Sequence, residues 1–206
     1  MSRDPVRALT QFFGGRLCLD FANTIDWRTS NEPQELIPDY ESFLKWSAAR
    51  GTLSPRAAKK LMTLFDSGKS GATDSMNRIY ALRVNILITV EALRTGGEIH
   101  LADVNRILDT APAQPPIVEL GDGYVHKLPG LSLLEPTWPI LWSLAALLTS
   151  NDSSRIGCCQ AQGCGWFFVD ESPNRTRIWC SSEVCGNRER ARRSYARRRP
   201  RALRES

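Results

Sequence analysis

Four cysteines constrain this chain more than anything else in it. Cys159, Cys164, Cys180 and Cys185 form two C-x4-C pairs with fifteen residues between them. Each pair lets one turn of chain present two thiolates, and the segment between is long enough to bring the pairs together, an arrangement that suits tetrahedral zinc. Cys158 creates an ambiguity of register, but only Cys159 reproduces the four-residue gap of the second pair. The first twenty residues carry Asp4 and Arg16 and no apolar signal segment, so the cytoplasm is the expected compartment. Thiols in a reducing cytoplasm favour metal over disulfides, and one structural Zn²⁺ is the expected cofactor.

Nine arginines follow the last cysteine pair, between Arg188 and Arg204. Charge is segregated along the chain: residues 1–150 hold 15 basic and 16 acidic groups, whereas residues 151–206 hold 12 and 6. All 12 basic residues of the second part are arginine, although the first part mixes ten arginines with five lysines. Arginine is the residue that grips phosphate or guanine with two parallel hydrogen bonds, so the pattern points to a polyanion. A membrane span needs about eighteen or more apolar residues in a row, and none occurs. No Gly-rich phosphate loop, H-E-x-x-H or G-x-S-x-G is present, and His100 and His126 lie in no ligand or nucleophile–base spacing, so an enzyme is not expected.

Upstream of the cysteines the periodicity is mostly helical. In Gly14–Arg28, GGRLCLDFANTIDWR, Leu17, Phe21 and Ile25 recur at four-residue spacing; this favours a helix, with a strand at Leu17–Phe21 as the alternative. Asp20 and Asn23 read as caps for neighbouring backbone. Asp39 can cap a helix ending at Gly51, and Ser54-Pro55 opens the next. A longer helix runs from about Asp74 to Thr95, with Met76, Ile79, Tyr80, Val84, Leu87, Val90 and Leu93 on its inner side, and a shorter one covers Leu101–Asp109. Ile117–Leu120 and Tyr124–Leu128 read as a hairpin through Gly121-Asp122-Gly123. An almost wholly apolar helix from about Pro136 to Ser150 belongs at the centre of a bundle, and Asn151-Asp152-Ser153-Ser154 reads as a hinge.

Between the cysteine pairs, Gly165–Asp170 and Arg177–Trp179 read as the two arms of a hairpin, with Trp166, Phe168 and Trp179 over the metal. A unit of roughly forty residues buries too little surface to fold alone, so metal removal is expected to unfold residues 158–199 and spare the upstream helices. Arg175, Arg177 and Arg188 can either offset the charge of a four-thiolate zinc or touch nucleic acid. From Arg188 the chain reads as a helix that Pro200 ends at or before Arg199. Arg188, Arg192, Tyr195 and Arg199 line one face, and Arg190, Arg193 and Arg197 the adjacent one. The expected nucleic-acid contacts are Arg188, Arg190, Arg192, Arg193, Arg197, Arg198 and Arg199.

The stretch C-x4-CGWFFVD-x-S-x-NR-x-R-x-WC-x4-CGNR, followed by arginines, resembles the CGNR zinc finger over about 40 residues. GGRLCLDFANTIDWR resembles the opening of the ABATE domain, which accompanies that finger in bacterial proteins regarded as stress-induced transcription regulators. The resemblance implies four-cysteine zinc binding through Cys159, Cys164, Cys180 and Cys185, and nucleic-acid binding. Pro173 stands where the resemblance leads one to expect arginine, which removes one basic contact and leaves the ligands intact.

The expected protein is mainly α with a small β-hairpin: a helical unit over residues 1–152, then a zinc-stabilised hairpin-plus-helix module over 153–206. Its expected partner is nucleic acid, DNA ahead of RNA, with an acidic protein partner as the other reading of the basic arm. The helical unit leaves room for a homodimer contact and for a small-molecule ligand.

Overall fold

The computed structural model describes residues 10–68, 71–113, 115–121 and 123–198. Among them are seven α-helices: α1 Leu17–Ala22, α2 Tyr40–Ala49, α3 Pro55–Asp66, α4 Ala72–Thr95, α5 Leu101–Leu108, α6 Trp138–Thr149 and α7 Asn187–Arg198. Three antiparallel strand pairs accompany them: β1 Ile25–Asp26 with β2 Gln34–Glu35, β3 Ile117–Leu120 with β4 Gly123–His126, and β5 Ile156–Cys158 with β6 Phe167–Val169. No helix among the described residues is long and apolar enough to cross a membrane.

The helix starts follow local chemistry. Asp39 accepts a 2.7 Å hydrogen bond from the Ser42 amide at the head of α2, and Ser54 accepts one of 3.2 Å from Ala57 at the head of α3. Such caps satisfy amides that have no partner within the helix. Helix α6 lies inside the bundle as its all-round apolar character requires, with Ile140, Leu141, Leu144 and Leu147 buried. Short α1 packs against both α6 and α4 and buries Cys18, Leu19, Phe21 and Ala22. Phe21 sits 6.0 Å from Phe43 and 5.6 Å from Trp46, joining α1 to α2 through an aromatic cluster.

Three expectations change. Helix α4 turns Ile79 and Val90 inward as expected, with Met76, Leu87 and Leu93 packed against the core, but Leu82 and Ile86 are buried beside them and Val84 is 50% exposed. Residues 151–154 are no free hinge: they lie in a 3-10 turn, Asn151–Arg155, whose Asp152 pairs with Arg16 beside α1. Strand β6 pairs with β5, not with Arg177–Trp179, so the hairpin encloses the first cysteine pair and does not span the two pairs. Asp122 of the other hairpin loop, and Lys69-Ser70 of the linker before α4, lie outside the described residues.

Strand β6 is the wall between two cores. Side chains alternate across a strand, and here Phe167 and Val169 join the helical core while Trp166 and Phe168 join the cysteine cluster. Asn23 fixes this wall from the other side. Its amide donates to the Phe167 carbonyl and accepts from the Phe167 N–H, both at 2.8 Å. Asn23 is thus a clamp over 144 residues of sequence, not a local cap, whereas Asp20 does bond neighbouring backbone, accepting from the Gly14 amide at 2.8 Å, and also pairs with Arg50 at 2.9 Å.

Candidate metal centre and nucleic-acid interface

The first cysteine pair sits in the turn that joins β5 to β6. Cys159 donates its amide to the Trp166 carbonyl at 2.8 Å and Cys164 donates to Ala161 at 2.9 Å, a tight knuckle that aims both thiols the same way. Of the second pair, Cys180 precedes and Cys185 lies within a π-helical turn, Ser182–Gly186, opened by Ser181, whose hydroxyl accepts from Val184 at 3.2 Å. The Sγ atoms of Cys159, Cys164, Cys180 and Cys185 all lie within 4.8 Å of one another, and all four residues are buried.

Three edges of this cluster are 3.8 Å for Cys164–Cys180, 3.4 Å for Cys180–Cys185 and 3.7 Å for Cys185–Cys164. Four sulfurs at about 2.3 Å from a central Zn²⁺ stand about 3.8 Å apart, whereas a disulfide requires about 2.05 Å. The donor set therefore fits tetrahedral zinc, whose contribution is to hold the two knuckles together. Hydrogen bonds among the sulfurs and burial raise the Cys164 and Cys180 thiols well above the ordinary range. A dication reverses that by stabilising the thiolates, so assembly releases protons. Cys158 is outside the cluster, its thiol turned to the Gly165 carbonyl at 3.5 Å.

Arginines surround the centre in distinct ways. Arg177 donates to the carbonyls of Trp179 at 3.0 Å, Val169 at 3.1 Å and Phe13 at 3.0 Å, and also to that of Cys180. Its guanidinium lies 4.2 Å over the Phe168 ring, so Arg177 is a structural bracket. Arg188 reaches within 3.7 Å of the Cys185 sulfur and stacks 4.2 Å over Trp27. Arg175 is exposed and in a left-handed conformation, φ 51°. Trp166 is buried, its indole N–H donating to Ile25 at 3.0 Å, which makes it core and not a platform for bases.

Helix α7 leaves the second knuckle directly. Glu189 docks its first turn: buried, it accepts from the Gln162 amide at 3.1 Å and pairs with Arg192 at 2.8 Å. Arg190 bonds the Ser182 carbonyl at 3.1 Å and Asn187 at 2.6 Å. Residues 190–197 are all exposed. Successive side chains turn by about 100°, which places Arg188 and Arg192 on one flank and Arg190, Arg193 and Arg197 on the opposite flank, with Ala191 and Ser194 outward between them. The flanks are opposite, not adjacent, and two separate hollows mark them: Arg190, Arg193, Ser194 and Arg197 line one of about 420 Å³, while Arg188, Glu189 and Arg192 help line another of about 590 Å³. Arg198 is the last described residue, and Arg199 and the stop at Pro200 lie outside the described residues.

Sequence reasoning missed the loop that reaches the centre from upstream. Arg28 and Thr29 donate their amides to Cys164 and Gly163 at 3.2 and 3.3 Å, and Trp27 slides beneath Arg188. The available signal was the glycine on each side of Cys164. A Cβ on Gly165 would stand 2.4 Å from the Thr29 methyl, and one on Gly163 would stand 2.8 Å from the Trp27 ring.

This geometry defines a four-cysteine zinc-finger protein, and residues 155–198 match the CGNR zinc finger. Residues 15–151 match the ABATE family, described as "Putative stress-induced transcription regulator". That match covers more than half of the chain, and the protein belongs to this family. No curated protein matches it.

Proposed function

We propose that the protein is a zinc-dependent transcription regulator that binds DNA through α7. The observation that carries this reading is the disposition of arginines on that helix: two opposite basic flanks with small Ala191 and Ser194 between them. A helix with its side chains is about 10–12 Å across and a B-DNA major groove about 12 Å wide. Ala191 and Ser194 let the first two turns of the outward strip approach the groove floor, Arg198 continues the same strip in sequence, and each arginine flank faces one sugar–phosphate strand. The deep, narrow major groove of A-form RNA does not admit a helix, which favours duplex DNA. Zinc acts indirectly, because the second knuckle sets the direction in which α7 leaves the finger.

Fluorescence anisotropy of the zinc-loaded full chain on duplex DNA tests this reading. The five guanidiniums of the two flanks, seated on phosphates, give a slope of about −4.5 in log K against log salt, at about −0.9 each. Replacing Arg193 and Arg197 by alanine should weaken binding and flatten the slope by about 1.8. Salt-independent binding, or tighter binding to structured RNA in direct competition, would refute it.

A further inference from the structure

The hollow of about 590 Å³ beside α7 has two walls of different origin. Arg188 and Arg192 form one; Trp27, Thr29 and Asn31 of the upstream domain form the other, and Gln162 closes the floor. The carboxylate in the lining, Glu189, has both oxygens engaged, by the Gln162 amide and by Arg192. Two guanidiniums therefore face a hydroxyl and two exposed amides across an open cleft. That is the donor-rich, net-positive chemistry of a sugar–phosphate site.

The loop is built into position. Its β1–β2 base is held on α4 by Arg83, which bonds Thr24 and Glu35 at 2.8 Å each. Its tip is held on the first knuckle by the two main-chain bonds to Cys164 and Gly163. Trp27 adopts a left-handed φ of 52°, a conformation that costs energy for a bulky residue, and this places the indole between Gly163 and Arg188. Arg188 is thereby fixed at the shared edge of the cleft and of the α7 flank.

We propose that the loop 27–31 is the second wall of the nucleic-acid site, and that one DNA strand runs through the cleft between this loop and α7. This rests on the DNA-binding reading of α7 and adds contacts from the ABATE domain. Thr29, Asn31 and Gln162 donate neutral hydrogen bonds to phosphate or sugar oxygens. Trp27 is a positioning residue that acts through Arg188.

The test uses the zinc-loaded full chain and duplex DNA. Asn31 and Gln162 have exposed side chains, so the double variant Asn31→Ala, Gln162→Ala is expected to keep its zinc content and circular dichroism. It should bind about tenfold more weakly with an unchanged salt slope, because neutral contacts release no counterions. Asn31→Lys should bind more tightly and steepen the slope by about 0.9. Amide exchange of residues 27–31 should slow when DNA is added to the parent protein. A parent that binds DNA, a double variant within about twofold of it, and unchanged exchange at 27–31 would overturn the loop proposal and leave the α7 reading standing. A parent that binds no DNA overturns both.

Discussion

Arg177 offers the sharpest check on how the finger is held. Its guanidinium donates to four carbonyls drawn from the segment before α1, from β6 and from the approach to the second knuckle: Phe13, Val169, Trp179 and Cys180. Arg177→Ala leaves all four without this donor. A hydrogen bond from a charged donor contributes about 1.5–3 kcal/mol when well buried, but this side chain is only part-buried and water can replace some bonds. Taking about 1 kcal/mol for each bond gives an expected loss of about 4 kcal/mol, a large fraction of the roughly 5–15 kcal/mol that stabilises a domain. Arg177→Lys keeps the charge but not the fork, so it should recover less than half of the loss. Urea unfolding followed by tryptophan emission in excess zinc gives the stability, and transfer of zinc to a chromogenic chelator gives the retention of metal. A loss of less than about 1 kcal/mol for the alanine variant, or a lysine variant equal to the parent, would refute the bracket argument.

The loop contact makes a second prediction. Gly165→Ala should destabilise the chain by about 2 kcal/mol or more, since Gly165 has φ +66° and its new Cβ would meet Thr29, and Thr29→Ser should recover part of the loss by removing the methyl group. Additive losses in the double variant would contradict the steric account. Asp39→Ala should cost about 1 kcal/mol at neutral pH in thermal unfolding. Hydrogen bonds from Ser42 hold the Asp39 carboxyl below its ordinary value, so its contribution is present above about pH 4 and is lost as pH falls through the depressed value. A pH-independent cost would rule out the ionised cap. On chelation, amide protection should disappear over residues 181–198 and persist over 156–158 and 167–169; simultaneous loss across both would show that zinc holds the whole finger.

The metal site was legible because ligand spacing is a local property of the chain. The caps at Asp39 and Ser54 were legible for the same reason. What the sequence could not convey was partnership over distance. Asn23 and Asp20 carry polar groups that suit local capping, and nothing in their neighbourhood names Phe167 or Arg50 as the partner. Val84 fits the apolar stripe of α4 as well as Leu82 does, and only the packing of α1 and α6 decides which side is inward. The strand pairing was misassigned because Arg177–Ile178–Trp179 has the composition of a strand. Its backbone is occupied otherwise: the Ile178 carbonyl accepts from Gln160 at 3.0 Å, and the Arg177 amide donates to Asp170 at 2.9 Å.

Strand β6 also changes what stabilises the finger. Roughly forty residues cannot bury enough surface to fold alone, and from sequence zinc alone supplies the deficit. The structure supplies part of it from elsewhere. Ile156, Phe167 and Val169 are buried in the helical core, Val169 donates its amide to Gly14 at 2.9 Å, and Asn23 clamps Phe167. The β5–β6 pair thus belongs energetically to the ABATE domain, whereas α7 meets that domain at the loop 27–31 and the approach to the second knuckle is tied to Phe13 and β6 by Arg177. Zinc joins these parts alongside the Arg177 bracket, since Cys159 and Cys164 stand on the anchored side and Cys180 and Cys185 on the other. Losing the metal should release α7 without unfolding its anchor, and that makes the direction of the arginine helix, more than the stability of the chain, the property that zinc controls.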